Sequence, residues 1–294
     1  MNHTATHDDV RFALPPVPAV LLAIVSVQGG AAIAKRLFPV FGATGTAGIR
    51  IGLSAAMLML LFRPPVRSLR ARQWQLVVAY GLVLAAMNLV FYRALERIPL
   101  GLAVTLEFLG PLTLAVAGSR RAQDFVWVAL AAAGIILIAP WSARGVDPVG
   151  AIFALLAGAG GAAYIVLGGR VSRVLPSGPA VALGLSVAAV AVLPFSLADG
   201  GLAHLTPSLL VAGAAMAILS SALPFTLEMR ALGAMPARTF SILMSLEPAV
   251  AAVCGLFVLR ERLTGTQWVA VALVIAASVG STATARRVPL HVEC

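Results

Sequence analysis

The chain has 294 residues, of which 60% are hydrophobic and only 11% charged, with a mean hydropathy of +0.98. About a quarter of a soluble domain is charged, so this composition excludes an ordinary water-soluble fold. The formal net charge of +10 does not indicate a nucleic-acid partner, because the arginines stand in pairs between apolar runs, the pattern that orients membrane spans.

Apolar runs of about 20 residues, enough to cross a hydrocarbon core about 30 Å thick, recur along the whole chain. In chain order they predict spans at 18–35, 44–62, 74–95, 99–118, 125–140, 149–169, 179–198, 208–230, 237–258 and 266–284. The breaks carry turn or charge signals: RPPVRSLRAR, SRRAQD, WSARGVDP, RVSRVLPSGP, ADGGLAHLTP and RERLTGTQ. Residues 1–17 and 285–294 read as tails. The first run follows a polar segment with Asp8, Asp9 and Arg11, and on length alone a cleaved leader fits there. An internal repeat argues against it, because the first span has a partner later in the chain.

The repeat has three markers in one order. GGAA at 29–32 returns at 160–163, AL-x3-P at 94–99 returns at 231–236, and WVAL at 127–130 returns as WVAV at 268–271. Each copy of the second marker runs on to a further proline, Pro111 and Pro248. The halves are therefore 18–140 and 149–284. Five spans per half is an odd number, so the second half would enter the membrane the opposite way round, as in many secondary transporters. The expected fold is an all-α integral membrane protein: ten transmembrane helices in two inverted five-helix repeats around a central cavity. Basic residues set the orientation. Arg63, Arg67, Arg70, Arg72, Arg120, Arg121, Arg170, Arg173, Arg230 and Arg238 fall at one end, and fewer fall at the other, among them Lys35, Arg36, Arg93, Arg97, Arg144, Arg260 and Arg262. Both termini are accordingly expected in the cytoplasm.

Polar groups inside these runs are the candidate machinery. Glu107 in TLEFLGPL lies roughly 12 Å from the start of its span, where a carboxylate is costly unless it meets a partner or a wet cavity. Pro111 removes the amide that would have bonded the carbonyl of residue 107. In SILMSLEPAV, Glu247 stands beside Pro248, which frees the carbonyl of Met244, while Ser241, Ser245 and Pro248 share one face. Ser221, Pro224 and Glu228 share a face of the eighth span. The competing account is that these acids pair with Arg50, Lys35 or Arg93 and only lock helices together. Arg50 either snorkels to the surface or holds a substrate carboxylate. Gln28 and Lys35 share a face of the first span, beside a Gly-Gly pair suited to close packing. Asn88 and Tyr92 share a face of the third, where the phenol also fits an interfacial belt. Glu261 in LRERL reads as a solvated ion-pair position. Cys254 and Cys294 form no disulfide framework or metal spacing, and His3, His7, His204 and His291 are peripheral. No metal and no cofactor is expected.

The order of spans, the proline of the fourth and the Glu-Pro of the ninth resemble the EamA-type branch of the drug/metabolite transporter superfamily. SVQGGAAIAKRLFP, LEFLGPL, DFVWV, LSSALPFTLEMRAL and RTFSILMSLEPAVAA are similar, more closely, to the bacterial threonine/homoserine exporters, and the likeness runs over about 20–284. That resemblance implies an inner-membrane carrier that expels small neutral amino acids by proton antiport. It assigns no binding residues here. Other expectations are the same fold exporting a different amino acid, a purine-like metabolite or a cation. An intramembrane enzyme finds no support, since no HExxH, Ser–His or paired-Asp arrangement lies within the spans.

Overall fold

A computed structural model describes residues 14–64, 66–117, 122–138, 146–200, 206–234 and 243–284. Among them all regular structure is helical. In chain order the elements are α1 (Pro16–Phe62), a short 3-10 turn (Val66–Ser68), α2 (Ala71–Leu95), α3 (Leu100–Glu107), α4 (Leu109–Ala117), α5 (Ala122–Ile138), α6 (Pro148–Val171) and α7 (Ser177–Ala198). Then come α8 (Pro207–Ala217), a π turn (Ile218–Ala222), α9 (Leu223–Ala234), α10 (Glu247–Cys254) with a second π turn (Gly255–Leu259), and α11 (Gly265–Thr284). Among the described residues five stretches are long and apolar enough to cross a membrane: α1, α2, α6, α7 and Pro207–Glu228. Leu100–Thr113, Glu247–Leu259 and Gly265–Gly280 are shorter apolar helices. Ser241, Arg120, Arg121, Arg144, Arg238, residues 1–13 of the first tail, the whole of the tail 285–294 and the start of the ninth run lie outside the described residues.

The first two expected spans form one element, α1, whose interruption is narrower than the sequence suggests. Pro39 lies inside it, and Gly42 alone leaves helical geometry, at φ 68° and ψ 171°. Glycine adopts that backbone without the Cβ penalty other residues meet. Ser26 and Ser54, on opposite sides of Gly42, both reach the same turn, bonding the carbonyls of Leu219 and Ala217. The chain therefore reverses at this residue into a hairpin of two membrane-length limbs.

The fourth run breaks where Pro111 predicts. Phe108 is a turn between α3 and α4, with the Phe108 amide still bonded to the Val104 carbonyl. The ninth breaks at Ser245–Leu246, and Pro248 sits in the first turn of α10. The eighth contains the π turn, just before Pro224.

Small residues let these helices approach closely, as in other membrane bundles. A Cβ on Gly110 would run into the Gly158 carbonyl and one on Gly158 into the Glu107 carbonyl, so the α3–α4 break lies main chain against main chain on α6. Gly30 of α1 abuts Ser220 in the same manner. Helix α3 packs on α10, with Gly101 against Ala252, and α5 packs on α11 through Gly134 and Val274. Gly110→Val and Gly158→Val, which force a side chain into these crossings, should cost at least about 1–3 kcal/mol and lower the thermal unfolding midpoint in detergent. Gly29→Ala, with nothing within 4 Å of its added Cβ, should leave it unchanged.

Candidate functional site

Pro224 has no amide to offer the carbonyl four residues before it, that of Ser220. The π turn around it leaves neighbouring carbonyls in search of donors, and the α1 hairpin supplies them. Ser26 Oγ donates to the Leu219 carbonyl at 2.7 Å, Ser54 Oγ to that of Ala217 at 3.1 Å, and Arg50 Nη1 to that of Ser220 at 3.4 Å. Arg50 Nη2 donates to Asn88 Oδ1, and Asn88 Nδ2 in turn donates to the Leu84 carbonyl at 2.8 Å. The guanidinium lies over the Tyr92 ring, 4.9 Å from its centre, a cation–π arrangement. Arg50 is 6% exposed and Tyr92 fully buried. Arg50 does not snorkel, and Tyr92 is no belt residue, because both are turned into the bundle by these partners.

Among the described residues no carboxylate stands within ion-pair distance of Arg50. Its Nε, Tyr92 Oη and the hydroxyls of Thr44, Ser220 and Ser221 have no hydrogen-bond partner there. A buried charge without a counterion costs several kcal/mol.

Glu107 ends α3, Glu228 lies on α9 and Glu247 opens α10. They share one electrostatic neighbourhood, with Glu107 within range of Glu247 and Arg50, and Glu228 within range of Glu247. Each of the three is half-buried among the surrounding helices. Among the described residues none of them forms an ion pair, contrary to the helix-locking alternative. Tyr80 and Tyr164 stack at 5.3 Å and lie within range of Glu228. The sequence did not single out this tyrosine pair, since one member is on α2 and the other on α6.

Lys35 is drawn elsewhere. It donates to Glu261 at 2.6 Å and to the Ile98 carbonyl at 2.8 Å, and the Leu100 amide donates to Glu261 at 2.8 Å. Glu261 is therefore not solvated; its side chain is 16% exposed and joins three segments. Arg93 pairs with Glu96 at 3.1 Å and Asp199 at 3.5 Å, and Arg97 with Asp147 at 3.0 Å. Gln28 is buried two residues before Gly30, where α1 meets the π turn. Pro111 is half-buried, Pro224 and Pro248 buried. Of the three acids, Glu107 lies within electrostatic range of the buried Arg50. Two surface grooves, of about 870 Å³ and 340 Å³, lie away from these acids.

Residues 148–283 match the EamA-like transporter family. The chain is 45% identical over 277 residues to the threonine/homoserine exporter RhtA of Salmonella typhimurium (strain LT2), covering 93% of each. It is 44% identical over 275 residues to the protein of that name from Escherichia coli (strain K12), covering 92% of each. A solved crystal structure whose name says no more than "protein" superposes with a TM-score of 0.59 at 18% identity, over 92% of this chain and 99% of that one, which shows a shared fold. The chain is thus a multi-pass membrane transporter rather than an enzyme, and it belongs to the threonine/homoserine exporter family.

Proposed function

We propose that the chain exports small neutral amino acids such as homoserine and threonine from the cytoplasm by proton antiport with alternating access. The observation that carries this reading is the buried Arg50, held by Asn88 and the Ser220 carbonyl without a counterion among the described residues, within range of Glu107. The amino acid's carboxylate meets the guanidinium and its ammonium meets Glu107 or Glu247. Intramembrane acids of this kind carry protons in pumps and carriers. Glu107 is assigned the proton because it closes α3, where the helix dipole opposes negative charge, whereas Glu247 opens α10, where the dipole favours it. The names of the relatives point to the same substrate class.

Alternating access requires two halves that move. We read the helices as ten spans in inverted repeats, 18–140 and 149–284, with tails 1–17 and 285–294 in the cytoplasm. Exchange of contacts between the halves supports it. The first span meets the eighth at Gly30 and Ser220, and the sixth meets the third at Gly160 and Met87. The described ion pairs that join the halves, Lys35–Glu261, Arg93–Asp199 and Arg97–Asp147, share the end assigned to the outside. They act as an outer gate, closed in this conformation. The hydrogen bond from Arg97 holds the Asp147 carboxyl below the usual carboxylate range, so that pair's contribution is present above the ordinary carboxylate pKa and is lost only as pH falls through the depressed value.

Counterflow of labelled homoserine into proteoliposomes tests the substrate class. Accumulation of homoserine and threonine supports it, and counterflow only of purines or organic cations overturns it. Glu107→Gln should abolish pH-gradient-driven export by at least tenfold while the protein still folds and reaches the membrane; full export by that variant removes Glu107 from the mechanism. Arg50→Lys keeps the charge but cannot reach Asn88 and Ser220 together, so substrate protection against thermal unfolding should fall at least tenfold in affinity. Glu261→Gln should let an imposed pH gradient decay faster in substrate-free vesicles, and exchanging the charges, Lys35→Glu with Glu261→Lys, should restore tightness. An unchanged decay rate refutes the gate.

A further inference from the structure

At the end of the molecule opposite the ion pairs, a groove of about 870 Å³ opens between the start of α2 and the end of α6. Its rim carries Arg70 and Arg72 from the first half and Arg170 and Arg173 from the second, and Leu76 and Leu167 line it deeper down. No acidic side chain lines it, and among the described residues none of the four arginines belongs to an ion pair. Gln73 fixes the walls: its Nε2 donates to the Val174 carbonyl at 3.2 Å, and its Oε1 accepts from the Arg70 amide at 2.9 Å.

The groove lies on the outer side of the helix pair. Helix α6 turns Gly158 inward onto the α3–α4 break, whereas Ile152, Leu156 and Val166 are exposed on faces turned away from it. Val78 and Leu82 of α2 are likewise exposed. Four cations from two helices repel one another in this space, and the arginine fork matches phosphate oxygens two at a time. Basic pockets between membrane helices above an apolar wall suit anionic lipid headgroups.

The geometry points to a structural site for an anionic phospholipid of the cardiolipin type, one phosphate held by Arg70 and Arg72, the other by Arg170 and Arg173, with acyl chains over Leu76 and Leu167. The lipid joins the two halves at the end where the described residues provide no ion pair. This site is independent of the substrate carried, and its test needs no transport.

The experiment is native mass spectrometry of the full chain in detergent, titrated with cardiolipin, phosphatidylethanolamine or inorganic phosphate, alongside thermal unfolding. Cardiolipin should bind at least tenfold more tightly than phosphatidylethanolamine and raise the unfolding midpoint. The double variant Arg72→Gln/Arg170→Gln should lose that preference, and Arg260→Gln, an exposed residue at the opposite end, should keep it. Should the double variant not fold, Arg72→Lys/Arg170→Lys retains the charge without the fork and should show a weakened preference. Equal binding of both lipids, or a preference untouched by the groove variants, overturns the site. Displacement of cardiolipin by millimolar inorganic phosphate assigns the groove to a soluble anion and overturns the lipid reading.

Discussion

A hydrocarbon interior offers no water to a backbone carbonyl, so every one that a proline or a π turn releases must find a donor in the protein. The bundle is organised around that demand. The carbonyls of Ala217, Leu219 and Ser220 are met by Ser54, Ser26 and Arg50, all from the two limbs of the α1 hairpin. These bonds hold the first two predicted spans against the eighth. They also bring a guanidinium to a depth it would otherwise avoid. What satisfies the fold thereby buries the charge that the proposed function assigns to a substrate carboxylate.

Several features could be read from residues alone. The prolines at 111, 224 and 248 do mark the irregular turns, and the positions of the glutamates near them are plain in the sequence. The helical runs follow from hydropathy, which measures the same cost that the lipid imposes. What stayed hidden required partners distant in the chain. Lys35 and Glu261 are 226 positions apart, and nothing near either residue announces the other. Arg50, six residues into its run, looked equally suited to the interface and the interior; only Asn88, Tyr92 and the opened turn decide between them. The π turn was also invisible, since LSSALP is as compatible with an ordinary kink.

Charge is distributed unevenly between the two ends. At one end acids and bases are matched across the halves, and at the other the described arginines stand without carboxylates. Paired ends separate only when those bonds break, whereas at the basic end the halves are joined by the Gln73–Val174 hydrogen bond and the packing of α2 on α6. The two ends thus have different cohesion from the same backbone plan.

The crossing of Gly110 over Gly158, with the Glu107 carbonyl alongside, has a mechanical corollary. Interlocked side chains resist rolling because each knob must climb out of its hole. Two bare peptide ribbons present no such teeth, so tilt between them meets a shallow energy profile. Were the halves to swing about such a fulcrum, the acidic residue beside it would hardly travel.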